Sequence, residues 1–174
     1  MLELLRKRRS IRKYRDEDID PGVVELLKEA ALRSPTSRNF RPWRFVFVED
    51  REKLAALSKA KPSGSSFLAG ARLGVVVCAD EKESDVWTED CSIASIILQL
   101  AGQSLGLGSC WIQIRLRMHD GSQTSEEYVR SVLGLPDGLK VESIIAFGYP
   151  DEDRGPVPAE ELQQEKILSA LGPR

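Results

Sequence analysis

Histidine is almost missing from this chain of 174 residues: there is one, His119. The three cysteines, Cys78, Cys91 and Cys110, are far apart and form no C-x-x-C pair. A metal centre of nitrogen and sulfur ligands needs several such side chains converging, so no metal site is expected. A Ser-His-Asp or Cys-His centre would have to use His119, which lies in the loop-like stretch RMHDGSQ with no nucleophile at a recognisable spacing. The scattered cysteines, in apolar or small-residue surroundings, read as buried thiols. Long apolar runs are lacking too. None reaches the length of a bilayer crossing, and residues 1–15 are charged from Glu3 onward, without the apolar stretch of a secretory signal. The expectation is a cytoplasmic protein with no membrane association. There is no internal repeat, low-complexity tract or linker, so one domain over 1–174 is expected, with 151–174 as a C-terminal extension. A Gly-rich phosphate loop is absent as well. The stretch GLGS ends a helix rather than opening one, and so lacks the helix N-terminus a pyrophosphate uses.

What the chain does have is concentrated positive charge. Its formal net charge is -2, yet seven of the ten residues from Arg6 to Arg15 are Lys or Arg. A chain near neutral overall is not a dedicated nucleic-acid binder, so the cluster is a local feature. In RRSIR, Arg8, Ser10 and Arg12 lie two apart, and in an extended segment they share one face. Guanidinium groups at that spacing can converge on a phosphate through charge-assisted, bidentate hydrogen bonds. Arg9 points away unless the chain turns. The competing reading is a solvated basic arm.

Periodicity supplies the frame. Asp20-Pro21 opens a helix with Val23, Leu26, Leu27, Ala30 and Ala31 on one face, closed at Ser34-Pro35. WRFVFVE from Trp43 is a strand, with Phe45 and Phe47 opposite Val46 and Val48. Asp50 caps a short helix, LGVVVCA from Leu73 is a buried strand, and the longest helix runs from about Glu89 to Leu105, with Asp90 or Thr88 as its cap. CWIQIR is extended. Thr124-x-x-Glu127 reads as a capping box for a helix ending near Gly134, and VESIIAFG from Val141 is the last strand. Residues 159–171 have helical spacing. Such mixing predicts a layered α+β domain with four or five strands.

Four segments occur in order: RRSIRKYRDEDID, AALRSPTSRNFRPWRFVFVED, GLGSCWIQIR and IIAFGYP. Together they resemble the nitroreductase family over residues 5 to about 158. The resemblance implies a three-layer α+β fold, a small mixed sheet packed between helices, and an intertwined homodimer holding FMN between its chains. It implies that Arg8, Ser10 and Arg12 bind the FMN phosphate, with Arg9 close by and Arg154 completing the site. It implies that Pro35, Ser37 and Asn39 reach the flavin of the second subunit. Relatives often carry Gln two residues after this Asn, where this chain has Arg41. Backbone groups of Gln113 and Ile114 are implied beside flavin N5. No side chain need act as general acid, since the flavin carries the chemistry. The activity implied is reduction of nitroaromatics, quinones or related acceptors by NAD(P)H, with ping-pong kinetics. A reductive dehalogenase or flavin-processing enzyme of the same fold, a flavin-binding regulator without turnover, or an anion-binding module are the other readings.

Overall fold

The computed structural model describes residues 1–168. In chain order its elements are α1 (Leu2–Lys7), α2 (Pro21–Leu32), β1 (Trp43–Val48), α3 (Arg51–Leu57), β2 (Leu73–Asp80), α4 (Trp87–Ser104), β3 (Gly108–Gln113), α5 (Ser125–Leu133) and β4 (Leu139–Gly148). The helix starts follow local chemistry. The Asp20 carboxylate accepts from Gly22 N at 2.7 Å, and Asp50 accepts from Lys53 N at 2.8 Å. Thr124 and Glu127 form the reciprocal capping box, and Gly134, at φ 64°, closes α5 in the left-handed region.

The sheet has the order β1-β2-β4-β3. It is small, as expected, but all three strand pairings are antiparallel rather than mixed. The parallel element is a single bridge between Ser10 and Ser109. Both central strands are apolar on both faces because both faces are covered, and two cores result. On one side Leu27 and Ala31 of α2 and Ala94 and Leu98 of α4 pack on Val75, Val77, Ile145 and Phe147. On the other, Leu54 and Leu57 of α3 and Val129 of α5 pack on Val76, Ile112, Ile144 and Ala146. This is the three-layer α+β arrangement. All three cysteines are buried. Burial pushes the Cys78 thiol up to about 11 and raises that of Cys91 further.

One element is new and two expectations need correction. Helix α1 has no counterpart in the sequence reading. It is six residues long, buries none of them fully, and carries exposed Glu3 pairs to Arg6 and Lys7. The stretch 159–168 forms only two short 3-10 turns, Ala159–Glu161 and Gln164–Lys166, and the rest of the expected tail helix lies outside the described residues. Helix α4 begins at Trp87, with Val86 before it and no side-chain cap. Asp90 is engaged elsewhere, as described below, so neither it nor Thr88 serves as the cap.

Candidate active site

The basic arm docks because the sheet has a flat place for it. Gly108 of β3 and Gly148 of β4 are register partners, so their missing side chains lie on one face. A Cβ built on Gly108 would meet Ile11 at 2.8 Å, and one on Gly148 would meet Tyr14 at 2.8 Å. Ile11 and Tyr14 therefore rest on bare backbone. Ile11 N donates to Ser109 O at 2.9 Å, Arg15 N to Tyr149 O at 2.9 Å, and Asp151 N back to Lys13 O at 2.9 Å. The Tyr14 hydroxyl donates to Ile11 O at 2.6 Å, and burial raises its pKa.

The arm is thus extended, which puts Arg8, Ser10 and Arg12 on one face. That face neighbours the Cys110 thiol. Burial raises its pKa, while the Arg12 and Arg8 charges and hydrogen bonds from the Ser10 and Arg12 side chains act against that rise. Arg9 turns to the other side and donates to Gly155 O. Arg154 joins through a carboxylate. Glu152 Oε1 accepts from Arg12 N at 2.5 Å and Lys13 N at 3.2 Å, and its Oε2 accepts from Arg154 Nε at 3.0 Å. The Arg12 amide, followed by Arg154, holds that carboxyl below the usual glutamate range. An anionic group already sits among the donors predicted for a phosphate.

Beside the arm runs the outer edge of β3. Ser109 turns its carbonyl outward to Ile11, whereas Ile114 N donates inward to Glu142 O at 3.1 Å. With the two-residue period of a strand, Trp111 and Gln113 direct their backbone groups to the open edge. The Gln113 amide therefore faces the open edge, and the Ile114 amide is committed to β4. The segment 60–67 and the loop around His119 come close to the arm and to Cys110. Arg12 lies over the Phe67 ring at 5.7 Å. Lys61 has its pKa lowered, first by burial and then by Arg117, while Cys110 acts in the opposite sense. Their loops are joined by His119, whose Nδ1 donates to Lys59 O at 2.8 Å and whose ring stacks on Tyr128 at 3.9 Å.

The Pro35, Ser37 and Asn39 loop lies elsewhere. Ser37 N donates to the buried Asp90 carboxylate at 2.8 Å, and Ser84 Oγ donates to its other oxygen at 3.2 Å. Arg38, Asn39 and Arg41 have φ of 50°, 59° and 53°, a run of left-handed conformations that is uncommon outside glycine. Arg41 Nε donates to Asn39 Oδ1 at 2.9 Å, so the residue that replaces the usual Gln clamps the Asn. Among the described residues, no hydrogen bond or ion pair joins this loop to the arm. Asp90→Ala is expected to remove about 1.5–3 kcal/mol of stability, as hydrogen bonds to a buried charge do. Chemical denaturation measures it, and an unchanged midpoint would mean that the loop holds itself.

Comparison with known proteins gives a consistent picture. The sequence model of the Nitroreductase family matches residues 5–66 and 58–149. The structure of an FMN-dependent nitroreductase from Clostridium difficile superposes with a TM-score of 0.96 at 41% identity, over 99% of this chain and 100% of that one. A protein of Archaeoglobus fulgidus, provisionally named NADH dehydrogenase/NAD(P)H nitroreductase, is 36% identical over 88% of this chain and 87% of its own length. A Desulfovibrio desulfuricans structure in complex with FMN, provisionally a nitroreductase, has a TM-score of 0.76 at 25% identity, over 99% of this chain and 97% of that one.

Proposed function

Because the chain belongs to the nitroreductase family, we propose that it is an FMN-dependent oxidoreductase that uses NAD(P)H to reduce nitroaromatic, quinone or related acceptors. The observation that carries this reading is an extended arm, with Arg8, Ser10 and Arg12 on one face, docked along a strand edge whose Gln113 amide faces outward. The donor set fits the group. A phosphate monoester carries roughly -2 at neutral pH and accepts several charge-assisted hydrogen bonds. When bound, FMN supplies a ring that takes up hydride and gives it on. The chain's own part is to anchor the phosphate, to aim the Gln113 N–H at the ring edge, and to line the approach with Lys61, Phe67 and Arg117.

We also propose a homodimer, with Pro35, Ser37 and Asn39 serving the partner's site. Two observations favour it. The loop and the arm make no mutual polar contact within one chain, and α4 leaves Ile93 exposed and Ile97 and Leu100 half-covered, next to Met1 and Leu4 of the N-terminal segment. Residues 153–168 are all exposed, so the extension has surface free for a partner as well.

The test is a spectrum of the purified protein followed by kinetics. Flavin bands with FMN as the released cofactor, near one per chain, are expected, in a particle of twice 19.4 kDa by light scattering. The sequence shows no Gly-rich loop for a separate nucleotide site, so both reactants must use one exposed face in turn. Parallel double-reciprocal lines and anaerobic bleaching by NAD(P)H alone are expected. A chain that takes up no flavin in excess FMN overturns the reading. Intersecting lines overturn the single site.

A further inference from the structure

Glu142 interrupts the apolar strand β4, and no part of the proposed phosphate or loop contacts uses it. It is 4% exposed, and its Oε2 has no hydrogen-bond partner. Glu142 lies at a β-bulge: Val77 pairs with Ser143 and Cys78 with Val141, which leaves Glu142 unmatched. The bulge lets both its carbonyl and its carboxyl face the end of β3. The carbonyl accepts from Ile114 N and Arg115 N, each at 3.1 Å. Oε1 accepts from Gln113 Nε2 at 3.4 Å, and Oε2 lies 4.0 Å from Arg115 Nε. Gln113 in turn accepts from Trp111 Nε1 at 2.9 Å. One residue therefore touches three consecutive positions: the backbone of Ile114 and Arg115, and the side chain of Gln113, whose Nε2 also donates to Arg115 O at 3.1 Å and whose backbone amide faces the open edge.

We propose that Glu142 is a positioning residue that fixes the Gln113 amide against the flavin ring and couples the ring's reduction potential to the charge on its own carboxyl. The proposal rests on the flavin reading above. Burial pushes the Glu142 carboxyl above the ordinary glutamate range; Gln113 and Arg115 oppose the rise, and Glu126 of α5 and Glu89 of α4 add to it. From α4, the buried Cys91 thiol also faces it. A group with this surrounding changes charge closer to neutrality than a free glutamate does. Ionised, it opposes negative charge arriving on a nearby ring. Neutral, it does not.

Glu142→Gln keeps the shape and the oxygen that accepts from Gln113, and cannot ionise. Glu142→Val removes the carboxyl and its contacts with the Gln113 and Arg115 side chains, and leaves the backbone bonds to Ile114 and Arg115 in place. In the FMN-loaded protein the midpoint potential is followed from acid to alkaline pH. Wild type and E142Q should coincide at the acid end and separate as pH rises, with E142Q the higher. A tenfold relative stabilisation of the reduced form corresponds to about 30 mV for a two-electron couple. E142V should differ from both at every pH. Identical potentials for all three across the range overturn the proposal. In the flavin-free protein, the Gln113 side-chain 15N resonance should titrate in wild type and stay fixed in E142Q. A Gln113 signal indifferent to pH in wild type also overturns the proposal. A Gln113 titration in a chain that takes up no FMN fails the flavin reading while leaving the Glu142–Gln113 contact standing, and the proposed coupling to a ring falls with that reading.

Discussion

Gly148→Val should abolish tight FMN binding without altering any side chain assigned to the cofactor. A Cβ at this position would lie 2.8–2.9 Å from three atoms of Tyr14, closer than packed carbon atoms come. The new side chain must displace the Tyr14 ring, and Ile11, 8% exposed on the paired Gly108, moves with it. Lifting the arm breaks the Ile11–Ser109 and Arg15–Tyr149 backbone bonds that set the Arg8, Ser10 and Arg12 spacing. Overpacking alone costs about 1–3 kcal/mol. Loss of converging phosphate donors comes on top, at about 1.5–3 kcal/mol for each charged contact. Fluorescence titration with FMN and thermal unfolding measure the two parts. Gly138→Ala is the control, since a Cβ there meets nothing within 4 Å. Wild-type FMN affinity in the Gly148→Val protein would mean that the arm's seat is irrelevant to the site.

Arg12→Ala should weaken FMN far more than Arg15→Ala. Arg12 faces Phe67 and the Cys110 thiol, at the centre of the cradle. Losing its charge-assisted contact costs roughly 1.5–3 kcal/mol, about 10- to 150-fold in Kd. Arg15 turns the other way. Its Nε donates to Pro150 O at 3.2 Å and its Nη1 lies 3.7 Å from Glu17, both at the surface. Such a contact is worth about 0–1 kcal/mol to stability and nothing direct to the cofactor. Equal losses of affinity in the two variants would mean that the cluster acts only as a diffuse positive field.

Much of this architecture is legible from periodicity. The α2, α3 and α5 helices and all four strands follow from apolar spacing and cap residues, because those signals are local. What the sequence hides is long-range. Asp90 looks like an ordinary helix-start residue, but its partner Ser37 is 53 positions away. Arg38 and Arg41 are not turn-forming types, so nothing announces their left-handed backbone. Backbone amides leave no side-chain trace, and only the observed pairing separates outward Gln113 from inward Ile114. Glu142 left a local signal that reading VESIIAFG simply as a strand passes over. A carboxylate inside VESIIAFG contradicts the apolar strand around it, and that local conflict is the kind of signal that marks a site with a task beyond packing.

The His119 contact ties the loop after α3 to the loop before α5. Lys59 and His119 are 60 residues apart in sequence, yet one hydrogen bond joins their loops, and the His119 ring stacks on Tyr128 of α5, whose hydroxyl donates to Ala56 O of α3 at 3.0 Å. Lys61 and Arg117, one on each of those loops, stand close enough for the charge of Arg117 to act on Lys61. The chain's lone imidazole is thus a staple between two loops that chain order keeps far apart.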